Sequence, residues 1–179
     1  MRIISGQFKS RRLKMVSEHT TRSTKDRVKE TLFNMLGPFH FERCLDLFAG
    51  SGSLGLEALS RGAKHATFVE LKRDAFNILR ENVATLKVND RANMHRGEAL
   101  ETLERMQETF DLIFLDPPYE SPLLDESLSL IALHEHLEED GLIVTLSAKN
   151  QRFEIPEAFT VYKQRTVGVT DVTFLKWSD

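Results

Sequence analysis

The chain has 179 residues, 41% hydrophobic and 28% charged, with a formal net charge of −3, which is the size and composition of one globular domain. It holds no apolar run near the ~20 residues needed to cross a bilayer, and Met1-Arg2-Ile3-Ile4-Ser5-Gly6 lacks the apolar stretch of a signal peptide. One cysteine, Cys44, excludes an internal disulfide, so a cytoplasmic protein with a packed thiol is expected; a monomer is expected as well. The charge is uneven. Residues 1–29 carry nine Lys/Arg against two acids, Glu18 and Asp26, while the remainder is acidic. A basic arm on an acidic body suits a local contact with a polyanion.

Residues 1–23 read as a basic extension of the same domain, with a short strand over Arg2–Ser5, a basic turn through Gly6–Arg12, then polar chain. The domain proper, 24–179, opens on a helix capped by Thr24, with Val28, Leu32, Met35 and Leu36 on one face and Gly37-Pro38 as its stop. A strand follows over Cys44–Phe48. A glycine turn then leads into a helix through Leu54, Leu56, Ala58 and Leu59, closed at Gly62. The pattern next predicts a strand His65–Glu70, a helix Asp74–Leu86, a strand Asn93–Arg96, a helix Ala99–Met106, and a buried strand Phe110–Leu115. After these come a helix Leu123–His136 and a strand Gly141–Ser147. Phe159–Arg165 and Val167–Trp177 are both strand-like, with Thr166 between them. The expected fold is α/β: a doubly wound, seven-stranded, mostly parallel sheet ending in an antiparallel hairpin.

Two motifs carry chemistry. Gly50, Gly52 and Gly55 match G-x-G-x-x-G after a strand, and Glu70 lies at the end of the next strand, where an acid can hold a ribose. Asp46, just before the turn, would repel a pyrophosphate. It suits a ligand with a ribose and a cationic end, as S-adenosylmethionine has. Phe48, Ala49 and Leu71, beside these residues, are placed with the cofactor site. Glu98 and Ala99, at the third strand's end, are expected near the adenine, although Glu98 is equally placed to cap the following helix.

The second motif is Asp116-Pro117-Pro118-Tyr119, set where a strand is stopped by two prolines. The Asp116 carboxylate and the Pro117 carbonyl suit the two N–H groups of a nucleobase amine. They would stabilise the positive charge that grows there during attack on a methyl carbon. Tyr119 can stack on the base. A base inside a helix cannot reach such a pocket, so it must be flipped out or already unpaired.

Leu45-Asp46-Leu47-Phe48-Ala49-Gly50-Ser51-Gly52, Gly55 to Ala63 and Asp116-Pro117-Pro118-Tyr119 resemble the bacterial small-subunit rRNA guanine-N2 methyltransferases of the D type. So do Arg2 to Gly6, Arg12-Leu13 and Arg22 to Glu30, and the likeness spans nearly the whole chain. Ser23 stands where the family usually has proline, and Glu98 where it usually has aspartate. The resemblance implies methylation of a guanine N2 in 16S rRNA, presented in the small ribosomal subunit or an assembly intermediate. Arg11, Arg12 and Arg22 are the expected RNA contacts.

Three rivals remain at this point. An adenine-N6 methyltransferase acting on RNA or DNA would use the same Asp-Pro-Pro-Tyr. An NAD-dependent oxidoreductase would share the glycine motif, but Asp46 argues against it, and His65 and His95 are placed at strand starts, the wrong end of the sheet. A non-catalytic RNA-binding protein would not need Asp46, Glu70 and Asp116 intact.

Overall fold

The computed structural model describes residues 1–16 and 22–179, with residues 22–24 by backbone alone. In chain order the elements are α1 (Arg22–Leu36), β1 (Arg43–Asp46), α2 (Ser53–Arg61), β2 (His65–Glu70), α3 (Arg73–Leu86) and β3 (Ala92–Arg96). They continue with α4 (Ala99–Arg105), β4 (Phe110–Leu115), α5 (Leu123–Leu133), β5 (Leu137–Ala148), β6 (Phe159–Val167) and β7 (Thr170–Trp177). The strands form one sheet in the order β3-β2-β1-β4-β5-β7-β6. Pairing is parallel from β3 to β5 and antiparallel at β7 and β6.

Two-residue periodicity sorts the core into two layers. On β4, Leu112 and Phe114 face a cluster with Leu32 and Phe33 of α1, Leu56 and Leu59 of α2, and Leu79 and Val83 of α3. Ile113 and Leu115 face the opposite cluster, with Leu103 of α4 and Leu124, Leu128 and Ile131 of α5. Right-handed crossovers require this split. The order grows one way from β1 to β3 and the other way from β4 to β5, so the connecting helices fall on opposite faces. The reversal lies between β1 and β4, and their carboxyl ends flank the crevice where such sheets bind ligands.

Several boundaries differ from the sequence expectation. α1 includes Thr24 instead of being capped by it. α5 stops at Leu133 because His136 leaves the helix and its ring bonds the carbonyls of Glu108 and Leu103, each at 2.9 Å. β5 begins at Leu137, where Leu137 pairs with Phe110 before a register shift. The charges of Glu138-Glu139-Asp140 hid this start. The hairpin turn is Gly168-Val169 and not Thr166, with Gly168 at φ 61° and Val167 paired to Thr170. His95 is not at a strand start: it is the fourth of the five residues of β3, paired in register with Val69.

The first residues are built into the body. The expected Arg2–Ser5 strand reduces to one antiparallel bridge, Arg2 to Arg12, while Ile3 and Leu13 are buried in the core. Glu57 of α2, fully buried, accepts the N–H groups of Ile4 (2.9 Å) and Ser5 (3.1 Å) and the Arg61 Nε–H (2.9 Å). The buried Lys29 ammonium lies 3.3 Å from the same carboxylate. It also donates to the Arg2 carbonyl at 2.6 Å and to Ser53 Oγ at 3.1 Å. Burial pulls the Lys29 pKa below its ordinary value, against the opposing pull of Glu57. Because Ser53 opens α2 directly after the glycine turn, this network joins the arm to the turn.

Candidate active site

Asp46 ends β1 and Asp116 follows the last residue of β4, so the two carboxylates stand at adjacent strand ends beside the order reversal. Asp46 is buried. Its Oδ2 accepts the Gly55 N–H at 3.0 Å, and its Oδ1 is buried with no hydrogen-bond partner. Burial raises its pKa to about 7, with the charges of Asp116 and Glu70 adding to the rise and the Gly55 N–H opposing it.

The turn that follows needs its glycines for space and for backbone angle. Gly52 takes φ 88°, and a Cβ there would lie 2.5 Å from Leu79 Cδ1. A Cβ on Gly55 would lie 2.3 Å from the Phe68 ring, so α2 packs hard against β2. Ala49 donates its N–H to the Val69 carbonyl at 2.9 Å. Phe48 is partly buried on the α4–α5 side of the sheet.

Glu70 ends β2. Its Oε2 accepts the Gly50 N–H at 2.7 Å and its Oε1 the Lys72 N–H at 2.8 Å. Each oxygen keeps one acceptor position. Leu71, next along, is 61% exposed. At the end of β3, Glu98 caps α4 by accepting the Glu101 N–H at 2.9 Å, and Ala99 is buried in the core.

After β4, Pro117 is buried while Asp116, Pro118 and Tyr119 are exposed. Asp116 touches solvent yet is surrounded closely enough that burial raises its pKa to about 6, with Lys25 pulling the other way. Because Asp116 is exposed, solvent screens its charge and offsets part of that rise. The Tyr119 hydroxyl pairs with Thr170 Oγ1 at 2.9 Å. Burial raises the Tyr119 pKa, and the Thr170 contact lowers it. Behind the loop, Gln151 Oε1 accepts from both Glu120 N–H and Ala148 N–H, each at 3.2 Å. The loop is therefore tied to the β5–β7 end of the sheet.

Of the three arginines expected on RNA, two have described side chains. Arg11 donates to the Thr85 carbonyl near the end of α3 at 3.2 Å, Arg12 pairs across to Arg2, and the Arg22 side chain lies outside the described residues. Sequence reasoning missed Lys25, Thr170 and Gln151, whose roles depend on contacts across the fold. It also missed Asn82, which donates to the Ser51 and Lys14 carbonyls and accepts the Lys14 N–H. An amide on the apolar face of α3 was its one visible signal. Among the described residues no acidic, His or Cys cluster could hold a metal, and no helix is long and apolar enough to cross a membrane.

Residues 1–176 match the family described as Conserved hypothetical protein 95. The chain is 42% identical to the ribosomal RNA small subunit methyltransferase D of Haemophilus influenzae, over 94% of this chain and 90% of that protein. It is 38% identical to the protein of that name in Escherichia coli K12, over 94% and 85%. Its fold superposes on the solved Escherichia coli yhhF with a TM-score of 0.88 at 35% identity, covering 99% of this chain and 98% of the other. With the doubly wound sheet, the acid-flanked glycine turn and the Asp-Pro-Pro-Tyr edge in place, the chain belongs to the Conserved hypothetical protein 95 family, among class I methyltransferases.

Proposed function

We propose that the protein transfers a methyl group from S-adenosylmethionine to the exocyclic N2 amine of a guanine in 16S rRNA, within the small ribosomal subunit or an assembly intermediate. The observation that carries this reading is the adjacency of Asp46 and Asp116 at the strand-order reversal. One acid faces the glycine turn and the other heads the Asp-Pro-Pro-Tyr loop. The names of the Haemophilus and Escherichia relatives support the RNA class.

The residues fit the cofactor. Asp46 Oδ1 is a buried acceptor without a donor, which suits the ammonium end, and Glu70 retains acceptor capacity for ribose hydroxyls. When bound, S-adenosylmethionine supplies an electrophilic methyl carbon on a sulfonium. Asp116 and the Pro117 carbonyl accept the N–H groups of the amine and hold its lone pair toward that carbon. Asp116 would stabilise the positive charge that grows on the amine nitrogen during methyl transfer. The proton would then pass through Asp116, which is exposed, to solvent, so no strong base is needed first. Tyr119, held at its hydroxyl by Thr170, offers its ring to the flipped base.

Calorimetry and labelled transfer test the reading together. The cofactor or its demethylated product binds, NAD does not, and label passes from S-adenosylmethionine into RNA of small subunits from a strain lacking the protein. Binding of NAD alone, or no label in RNA, contradicts it.

A further inference from the structure

The strand order sets the side from which RNA reaches Asp116. The glycine turn and Glu70, which suit the cofactor, follow β1 and β2 on one side of β4. Amine and methyl donor must approach each other from opposite sides, so the nucleotide and its strand lie over the other side, at the ends of β5, β7 and β6. There the Asp-Pro-Pro-Tyr loop touches β7, where the Tyr119 hydroxyl meets Thr170 Oγ1 at 2.9 Å. Thr170 pairs with Val167, and Arg165 pairs with Val172. Val172 belongs to the core cluster beneath α1, and Val167 packs against it. By two-residue alternation, Thr170, Val167 and Arg165 share the face of the sheet that α1 covers. Arg165 stands about 6.6 Å along β6 from Val167, which in turn lies about 5 Å across from Thr170.

Arg165 is exposed on the strand that ends the sheet. Its guanidinium has neither an ion-pair nor a hydrogen-bond partner among the described residues. Other cations are engaged by the fold. Lys163, on the same face of β6, donates to the Met35 carbonyl in the last turn of α1. Arg11 bonds the Thr85 carbonyl, and Lys14 pairs with Glu81. We propose that Arg165 is a positioning residue that binds a phosphate of the nucleotide beside the methylated one. The guanidinium then fixes the RNA strand on one side of the flipped base while Tyr119 covers the face of that base. A phosphate contact sets register and reads no sequence, so the choice of base stays with the Asp-Pro-Pro-Tyr pocket. The role rests on the RNA substrate class proposed above.

Co-sedimentation with small ribosomal subunits from a strain lacking the protein, run with the demethylated cofactor over a series of salt concentrations, tests the role. Arg165→Ala is expected to weaken binding about tenfold and to reduce the slope of log affinity against log salt by about one. Arg165→Lys should restore most of the affinity. Lys176→Ala, which removes the same charge at the far end of the hairpin, should change it little. In labelled transfer, Arg165→Ala should raise KM for the subunits and leave kcat near the wild-type value. Its melting temperature and its affinity for the demethylated cofactor should match the wild type, because Arg165 holds no part of the fold. Unchanged binding or salt slope in Arg165→Ala, no recovery with lysine, an equal loss in Lys176→Ala, or a lowered melting temperature overturns the role. No labelled product from the wild type, with the Arg165 dependence of binding intact, would instead overturn the methyl-transfer reading.

Discussion

The Glu70 carboxylate accepts the Gly50 N–H at 2.7 Å, so the acid proposed to hold the ribose also fixes the glycine turn. Glu70→Ala removes both functions. A charge-assisted bond to backbone N–H is worth about 1.5–3 kcal/mol, so cofactor affinity should fall about 10–100-fold. Calorimetry checks this, and Glu70→Asp should recover little because its carboxylate is one methylene short of Gly50.

Asp46 makes the protein pH-sensitive. Its folded pKa of about 7 lies above the ordinary 3.8, so folding binds a proton between those values. In the cofactor-free protein this lowers stability as pH rises from about 4 to 7. Asp46→Asn should therefore raise the melting temperature at pH 8 and change it little at pH 4. The gain is at most a few kcal/mol, because each tenfold change in proton affinity is worth ~1.4 kcal/mol. The same variant should bind the cofactor less tightly, and wild-type affinity should decline as pH falls below about 7.

As the proposed acceptor of the amine N–H, Asp116 acts best when ionised. Burial pushes its carboxyl pKa up to about 6 in the cofactor-free protein, so kcat/KM should fall as pH drops through that value. Asp116→Ala should lower kcat about 10²–10³-fold and leave cofactor affinity unchanged. Steady-state kinetics beside calorimetry separates the two effects, and unaltered turnover would remove Asp116 from the reaction.

Glu57 holds Ile4, Ser5, Lys29 and Arg61 around one buried carboxylate. Glu57→Ala leaves the Lys29 ammonium buried without its counter-charge, which costs about 3–5 kcal/mol. Thermal unfolding should show this. Deleting residues 1–14 should be comparably destabilising, because it also uncovers the sites of Ile3 and Leu13.

Thr170 holds the hydroxyl of Tyr119, the ring proposed to stack on the base. Thr170→Val removes the partner of the Tyr119 hydroxyl and should raise KM for RNA several-fold with a smaller change in kcat. Tyr119→Ala, which removes the stacking ring, should weaken RNA binding by about 1–3 kcal/mol.

Much of the fold was legible because apolar periodicity marks each strand and helix locally. Phe110–Leu115 was found to the residue, and the spacing of Asp46, Gly50, Gly52, Gly55 and Glu70 marked a glycine turn whose N–H groups both acids accept. What was hidden depended on distant partners. Nothing near Glu57 or Lys29 in sequence says that both are buried on each other, so the arm read as a polar appendage. Leu137 was masked by the acids that follow it. His136 leaves α5 only because two carbonyls from another segment bind its ring. Thr170 and Gln151 lie over 30 residues from the loop they hold.

Nucleoside analysis of small-subunit RNA after methyl transfer by the purified protein bears on the choice of base and on the role of Asp116 at once. The prediction is N2-methylguanosine, formed by the wild type and lost with Asp116→Ala. N6-methyladenosine as the labelled product, or N2-methylguanosine undiminished in Asp116→Ala, would contradict it.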